Sequence, residues 1–307
     1  MNPGRSIAAS VARATLVRAT LILAVLQACS LEEDDPPVAV PLAKLAMSYA
    51  DGNGERSIDL TTLKQTLDEH ASRTEGVAVH HVTGTGAMIA LELSHAAFEA
   101  EILGVTGPRA RLNGRQVLSE GTALVIGTGF VAEYAPITPL GLLQLGGTVV
   151  SDLSKHGYTR VAGARDGALT IIGRAEYHRG LFESAMQIGP GIVEEGKLDI
   201  SERELNLPAY LRAFVATCEA SMLAGISTEP MHLYDLGGDL LAYFDRNGMH
   251  CDEVANLSGD RETLLAINLS VDSADGTSSA SATRRIFVGD PNSIKASLIG
   301  FATRQKQ

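Results

Sequence analysis

Tryptophan is absent from this 307-residue sequence, aromatic residues make up only 5% of it, and it contains three cysteines. No apolar run reaches the roughly 20 residues that a membrane-spanning helix requires, which excludes a multi-span membrane protein. The composition is otherwise typical of a globular protein, with 45% hydrophobic and 20% charged residues, and it excludes global disorder. The length suits one large domain or two small ones.

The amino-terminal segment differs from the rest of the chain. Its first 20 residues contain three arginines and no acidic residue, and a short apolar run, Leu21–Leu26, follows. A basic region followed by an apolar run of this length is typical of a secretory signal peptide. Residues 1–28 are therefore predicted to be a signal peptide.

The end of this segment, Leu26-Gln-Ala-Cys29-Ser30, resembles a bacterial lipobox. The resemblance implies a lipid anchor on Cys29, and Ser30 implies sorting to the outer membrane, with the protein facing the periplasm. An ordinary signal peptide cleaved near Ala28 remains the alternative. The acidic and proline-containing residues 29–45 are predicted to be an extended tether, because like charges and proline oppose collapse.

Charge and cysteine usage limit the partners and cofactors of the domain predicted over residues 46–307. Without residues 1–28 the chain has 22 basic and 36 acidic residues, a net charge of −14. Such an acidic chain repels nucleic acid, and we expect no nucleic-acid partner. Cys218 and Cys251 could form a disulfide or remain buried thiols, and both alternatives stay open. No cluster of cysteine and histidine indicates a metal site, so neither a metal nor a cofactor is predicted.

Hydrophobic periodicity predicts an α+β fold with a mixed, mainly antiparallel sheet and a few packed helices. Helices are predicted over Asp59–His70, where Asp59 can cap, and over His232–Arg246, where Asn247-Gly248 ends the pattern. Strand-like runs outnumber them, at Val77–Val82, Ala87–Leu93, Ala123–Phe130, Thr148–Val150, Ala168–Ile172, Leu211–Thr217, Glu253–Leu257 and Leu264–Val271.

Several short sequence blocks follow one another from residue 123 to residue 301. They are an apolar strand ending in Gly127-Thr128-Gly129, a Gly-Leu-Leu stretch at Gly141, an Asp-Gly turn at Asp166, Gln187-Ile-Gly-Pro190, Arg212 at the head of a strand, Asn256-Leu-Ser258-Gly259-Asp260-Arg261, and Asp290–Leu298. In their order and spacing these blocks resemble the phosphodiester glycosidase family, which hydrolyses sugar-1-phosphate diesters.

The resemblance implies a site built from four of these blocks, with two departures. Gly127 stands where the family has Asn, and Ser258 stands where it has the Asp of its Asp-Gly-Gly-Gly loop. Asp260 is the nearest carboxylate to the missing one. The predicted catalytic residues are therefore Asp260 as the displaced carboxylate and Arg212 and Arg261 as phosphate-binding guanidiniums. The predicted substrate-binding residues are Gly127, Thr128, Gly129, Gln187, Asn256, Ser258 and Gly259.

The chemistry of glycosidic cleavage agrees with these residue types. It requires a carboxylate as nucleophile or base and stabilisation of the leaving group. A phosphate leaves with little protonation, so an arginine that binds it through two hydrogen bonds can replace a general acid. Structural alternatives remain open, since Ser258-Gly259-Asp260 also suits a turn, Arg212 a surface ion pair, and Asn256 and Gln187 the satisfaction of buried backbone groups.

Two functions follow from the sequence. The first is an envelope-anchored hydrolase that cleaves a sugar-phosphate diester or a related glycan linkage. The second is a non-catalytic lipoprotein that keeps the fold and binds an envelope glycan or a protein partner. The expected ligand is a glycan or sugar-phosphate. The departures at Gly127 and Ser258 favour the second function, whereas the retained Arg212, Asn256, Gly259 and Gly189-Pro190 favour the first, towards which the sequence leans.

Overall fold

The computed structural model describes residues 45–107, 110–119, 122–127, 130–155, 157–269 and 284–304. The predicted signal peptide, most of the predicted tether, Cys29, Thr128 and Gly129 lie outside these residues. One compact unit extends over residues 42–307. No helix in the described ranges is long and apolar enough to cross a bilayer.

Three antiparallel sheets and one small hairpin make up most of the described chain. In spatial order, sheet 1 consists of β2 (Gly54–Ser57), β1 (Met47–Asp51), β20 (Arg285–Gly289), β19 (Leu264–Asn268), β6 (Leu124–Gly127), β21 (Ser297–Thr303) and β5 (Phe98–Gly104). Sheet 2 consists of β10 (Thr148–Ser151), β9 (Leu143–Leu145), β13 (Ser184–Ile188), β11 (Arg160–Arg165) and β12 (Ala168–Gly173). Sheet 3 consists of β15 (Lys197–Leu198), β14 (Gly191–Glu194), β18 (Cys251–Gly259), β16 (Arg212–Cys218), β17 (Ser221–Ser227), β4 (Ala87–Ser94) and β3 (Val77–Thr83). The hairpin pairs β7 (Val131–Tyr134) with β8 (Ile137–Pro139).

Three helices are described, α1 (Leu60–Ala71), α2 (Gly114–Ser119) and α3 (Leu233–Asn247), together with 3₁₀ turns at Glu202–Asn206 and Asp260–Glu262. The strong antiparallel character and the small number of helices were predicted. Every pairing between the described strands is antiparallel, so the parallel component of a mixed sheet is absent among them, and the fold leans more towards β than the predicted α+β class. Antiparallel neighbours need only short turns, whereas parallel ones need long crossovers.

The predicted helices form for the reasons that their sequences indicate. The Asp59 carboxylate caps α1 by accepting a hydrogen bond from the backbone amide of Thr62 at 2.7 Å, and Leu63 and Leu67 on one face are fully buried. α3 ends at Gly248, whose φ of 64° is the left-handed conformation that glycine adopts readily.

Sheet 3 is buried on both faces, which explains its long hydrophobic strands. In β16, Ala213 and Val215 belong to the core shared with sheets 1 and 2, whereas Phe214 and Ala216 pack towards α3. Residues of β18 alternate in the same way, with Ala255 on the shared core and Val254 towards α3. Phe214, Ala216 and Val254 therefore face α3.

A disulfide joins Cys218 to Cys251, which decides the alternative that the sequence left open. The two residues are partners across β16 and β18. The bond closes a long loop, with a sequence separation of 33 residues that includes all of α3.

We expect reduction of this disulfide to lower the free energy of unfolding by about 2–4 kcal/mol, because the reduced unfolded chain regains the entropy of the open loop. Urea unfolding with and without reducing agent measures the change. The double variant Cys218→Ser/Cys251→Ser is the control and should be insensitive to the reducing agent. Equal stability of the oxidised and reduced wild type would contradict the prediction.

Candidate functional site

The predicted site lies where the chain crosses from sheet 3 to sheet 1. β18 ends at Gly259 in sheet 3, the 3₁₀ turn Asp260–Glu262 follows, and β19 begins in sheet 1. We call this connection, residues 259–263, the crossover. The strand was predicted to end at Leu257, but β18 continues to Gly259, so the turn is shifted towards the carboxyl terminus.

Asp260 has a left-handed backbone at the crossover. Its φ is 54°, a conformation that aspartate adopts more readily than most residues with a side chain and that Asp166 and Glu195 share. The backbone holds it there, because its amide donates to the carbonyl of Leu211 at 2.9 Å and its carbonyl accepts from the amide of Thr263 at 3.2 Å. The residue is partly exposed, and its carboxylate makes no hydrogen bond or ion pair with any described residue.

Arg212 lies directly beside the crossover, paired with Gly259 across β16 and β18. A side chain at Gly259 would place its Cβ 2.9 Å from the carbonyl oxygen of Leu211, so the close approach of the two strands requires glycine there. The Arg212 guanidinium is buried. It donates to Glu204 Oε1 at 3.1 Å and to the carbonyl of Met231 at 3.1 Å.

Glu204 neutralises this buried cation. Its other oxygen, Oε2, accepts a hydrogen bond from the backbone amide of Tyr234 in the first turn of α3 at 3.1 Å and lies 3.9 Å from His232 Nδ1. Burial lowers the pKa of Arg212, and the Glu204 carboxylate opposes that shift. Arginine stays protonated in proteins, so the pair is a buried salt bridge that also attaches the 3₁₀ turn Glu202–Asn206 to α3.

Asn256 presents an unpartnered polar atom on the same face of sheet 3 as Arg212. It lies opposite Phe214 on β16 and is buried. Its amide nitrogen donates to the carbonyl of Gly189 at 3.2 Å, whereas its Oδ1 is buried without a hydrogen-bond partner. An unsatisfied buried acceptor costs about 1–3 kcal/mol, so this oxygen is an uncompensated polar atom inside the protein, next to Gly189.

Gly127 ends β6 and contacts the crossover from sheet 1. A Cβ at this position would lie 2.7 Å from Cβ of Leu264 and 3.3 Å from the carbonyl oxygen of Glu262. An asparagine side chain, as the phosphodiester glycosidases have here, would therefore displace the start of β19. The departure at this position has a packing reason, and Gly127 contributes backbone rather than a side chain.

Gln187 is held by backbone groups in sheet 2. Its Oε1 accepts from the amides of Leu142 at 3.2 Å and Ser154 at 2.8 Å, and its Nε2 donates to the carbonyls of Ser154 at 2.9 Å and Tyr158 at 2.8 Å. All four hydrogen-bonding positions of the amide are thus occupied. This geometry is that of a side chain that satisfies buried backbone groups, the structural alternative to substrate binding. Gln187 holds the loop that follows β10.

The remaining predicted residues have no described side chain. Ser258 lies in β18 and Arg261 in the 3₁₀ turn, but the orientation of neither side chain is described, and Thr128, Gly129 and Cys29 lie outside the described residues. The structure thus brings Gly127, Arg212, Gly259 and Asp260 together at the crossover, whereas Asn256 lies earlier on β18 and contacts Gly189.

A second ion pair at the crossover, between a buried lysine and a half-buried glutamate, was not predicted. The Lys295 side chain is only 1% exposed, and its ammonium donates to the carboxylate of Glu262 and, at 3.1 Å, to the Glu262 carbonyl. The Tyr134 hydroxyl donates to the other Glu262 oxygen at 3.2 Å, and burial together with the Glu262 charge raises the pKa of Tyr134. The available signal was a single lysine between apolar residues in Ile294-Lys295-Ala296.

The fold and the site together define a mainly antiparallel β protein whose sheet-to-sheet crossover is flanked by two cation–carboxylate pairs. Within the described residues, no group of three or more histidine, cysteine, aspartate or glutamate side chains is arranged to hold a metal. Among the described residues, the Asp260 carboxylate and the buried oxygen of Asn256 have no partner. The two cations, Arg212 and Lys295, are each paired with a glutamate.

No protein-family profile matches the chain, and neither does any curated protein. Among solved structures, the chain is similar to the catalytic domain of the zebrafish N-acetylglucosamine-1-phosphodiester α-N-acetylglucosaminidase, auto-inhibited by its pro-peptide, with 11% identity, a TM-score of 0.48, and coverage of 70% of this chain and 82% of that one. It is also similar to a hypothetical protein from Synechocystis, with 11% identity and a TM-score of 0.49, over 75% of this chain and 63% of that one. These values describe a distant likeness of fold and assign no role to any residue.

Proposed function

We propose that the chain hydrolyses a glycosyl phosphodiester or a related glycan linkage at the crossover. The observation that supports this is the Asp260 carboxylate, which is held in a left-handed conformation without a partner among the described residues, between two ion pairs. Backbone hydrogen bonds to Leu211 and Thr263 hold Asp260 in this conformation, so the position of its carboxylate at the crossover is defined by the fold.

The geometry supports a division of roles in this reaction. Asp260 serves as the nucleophile or base at the anomeric carbon, and the bond from that carbon to the phosphate oxygen breaks. Water supplies a hydroxyl group to the sugar and a proton to the released phosphomonoester. Arg212 and Lys295 lie on either side of the crossover, where displacement of Glu204 or Glu262 would free one of these cations to stabilise the leaving phosphate.

A non-catalytic binding function is the second candidate, and a specific contact favours it. Two nitrogens of Arg212 already donate hydrogen bonds to Glu204 and to the Met231 carbonyl, and the Lys295 ammonium donates to Glu262. Neither cation can bind a phosphate through all its donors without displacing a carboxylate. A protein with such satisfied cations can bind a neutral glycan at the crossover without cleaving a phosphodiester.

A hydrolysis screen with aryl phosphodiesters and sugar-1-phosphate diesters tests the first function against the second. We expect release of the phosphomonoester at a rate proportional to enzyme concentration. Saturable binding of the sugar-1-phosphate diester, or of a neutral oligosaccharide added in parallel, without turnover would favour the binding protein. Neither turnover nor binding would contradict both functions.

We also propose that the protein is secreted and attached to the outer membrane through a lipid on Cys29, facing the periplasm. The proposal is based on the lipobox-like sequence and the basic, apolar segment before it. Partition of the expressed protein into a detergent phase tests it. We expect the wild type in the detergent phase and Cys29→Ala in the aqueous phase, and identical partition of the two would support the ordinary signal peptide instead.

A further inference from the structure

A cavity of about 190 Å³ lies at the other end of β19 from the crossover. It is open to solvent and is lined by residues of β1, β2 and α1 and by Arg73 on one side, and by Leu269 and Arg284 on the other. Because the five residues of β19 extend over about 15 Å, the cavity and the crossover are separate sites on sheet 1.

Three arginines line this cavity, Arg56, Arg73 and Arg284, with one carboxylate, Glu69. The chain as a whole has a net charge of −11, so a local excess of positive charge runs against its overall field. Folding does not require such a cluster, because like charges in one cavity repel each other.

These three arginines are not held by strong ion pairs among the described residues. Arg73 lies 3.9 Å from Glu69, and both side chains are more than half exposed, so the pair contributes little stability. Arg56 contacts Asp51 at 3.2 Å with its own side chain 60% exposed. No ion pair of Arg284 is found in the part of the chain that the structure describes.

An aromatic ring positions one of the three guanidinium groups. The guanidinium of Arg56 stacks over the ring of Tyr49, with its central carbon 4.4 Å from the ring centroid, which fixes the plane of its donors. His70 completes the lining, and burial followed by the charge of Arg284 lowers the pKa of its imidazole. The pKa of His70 therefore depends on the charge of Arg284.

We propose that this cavity binds a tetrahedral oxyanion, a phosphate or sulfate group, between the guanidiniums of Arg56, Arg73 and Arg284. Guanidinium groups match such oxygens with two parallel hydrogen bonds. Cavities for drug-sized ligands measure about 300–1,000 Å³, so this smaller one suits a free anion or the anionic end of a larger ligand. The site is independent of the proposed hydrolysis.

Calorimetric titration of the full chain with inorganic phosphate, inorganic sulfate and phenyl phosphate tests this site. We expect saturable binding that weakens by about tenfold or more for each guanidinium removed, in Arg73→Gln, Arg284→Gln and the double variant. Arg179→Gln is the matched control, since Arg179 is an exposed arginine paired with Asp152 on another part of the surface. Phenyl phosphate binding as tightly as phosphate identifies a ligand-borne group, and preference for inorganic phosphate identifies the free anion.

A nuclear magnetic resonance titration of His70 provides a second readout. A bound anion offsets the charge of Arg284, so the pKa of His70 should rise on addition of phosphate. In Arg284→Gln it should already be higher without phosphate and respond less. An unchanged His70 titration in the presence of phosphate, no saturable binding of any of the three anions, or equal weakening in Arg179→Gln would overturn the proposal. Hydrolysis at the crossover should be the same in Arg73→Gln as in the wild type, so failure of one proposal leaves the other distinguishable.

Discussion

Asp260→Asn is expected to lower the rate of glycosyl phosphodiester hydrolysis by about 10²- to 10⁴-fold, the range that a positioned acid or base contributes. The substitution removes the charge and little else. Asparagine adopts the left-handed conformation of residue 260 as readily as aspartate does, so the crossover should keep its backbone. Initial rates on the best substrate of the screen, with circular dichroism to confirm folding, measure the effect.

Two further variants make the result specific. Asp252→Asn applies the same chemical change to an exposed residue near the other end of β18 and should leave the rate unchanged. Asp260→Gly should keep the left-handed backbone of residue 260, which glycine adopts readily, while abolishing activity. Full activity in Asp260→Asn would rule out Asp260 as the displaced carboxylate.

The second large effect is expected at Glu204. Glu204→Gln should lower the free energy of unfolding by about 3–5 kcal/mol, because it leaves the buried Arg212 guanidinium without a counter-charge. Both side chains of this pair are about one-tenth exposed, 10% for Arg212 and 9% for Glu204, so water cannot take over the role of the carboxylate. Unfolding in guanidinium chloride, followed by circular dichroism, measures the loss.

The matched control is Glu202→Gln on the same 3₁₀ turn, where the side chain is exposed and the change should stay within about 0.5 kcal/mol. The double variant Glu204→Gln/Arg212→Met removes the stranded charge as well and should recover much of the stability, since buried ion pairs can often be replaced by apolar groups at little cost. A loss below about 1 kcal/mol in Glu204→Gln would show that the pair is solvated and not buried.

Local patterns in the sequence predicted two of the helices and eight of the strands, but they missed α2 and strands such as β5, β11 and β17, and they did not predict how the strands are arranged. The helix over residues 60–71 follows from the Asp59 cap and the spacing of Leu63 and Leu67, all of which lie within one segment. The assignment of β18 and β19 to different sheets depends on pairings with distant strands. Hydrophobic alternation does not encode such pairings, because any strand with two buried faces shows the same run of apolar residues.

The site was predictable to the extent that it consists of consecutive residues. Asn256, Gly259 and Asp260 stand in one block, and Arg212 was reached through the resemblance to the phosphodiester glycosidases. Its partner Glu204 was missed because a glutamate in a short polar stretch has no signal that distinguishes burial from exposure. Lys295 was missed for a similar reason, since its contact with Glu262 joins segments 33 residues apart. The packing of Leu264 against Gly127, which explains the departure from the family, is likewise a contact between sequence-distant residues.

Backbone-amide chemical shifts of the full chain, recorded while a sugar 1-phosphate is added, test most directly whether the crossover is a ligand site. We predict that the largest shifts fall on the amides of Gly127, Asn256 and residues 259–263, with a second and separate group around His70 that inorganic phosphate alone reproduces. Shifts confined to the second group, or none at residues 259–263, would contradict the central claim that the crossover binds the sugar-phosphate.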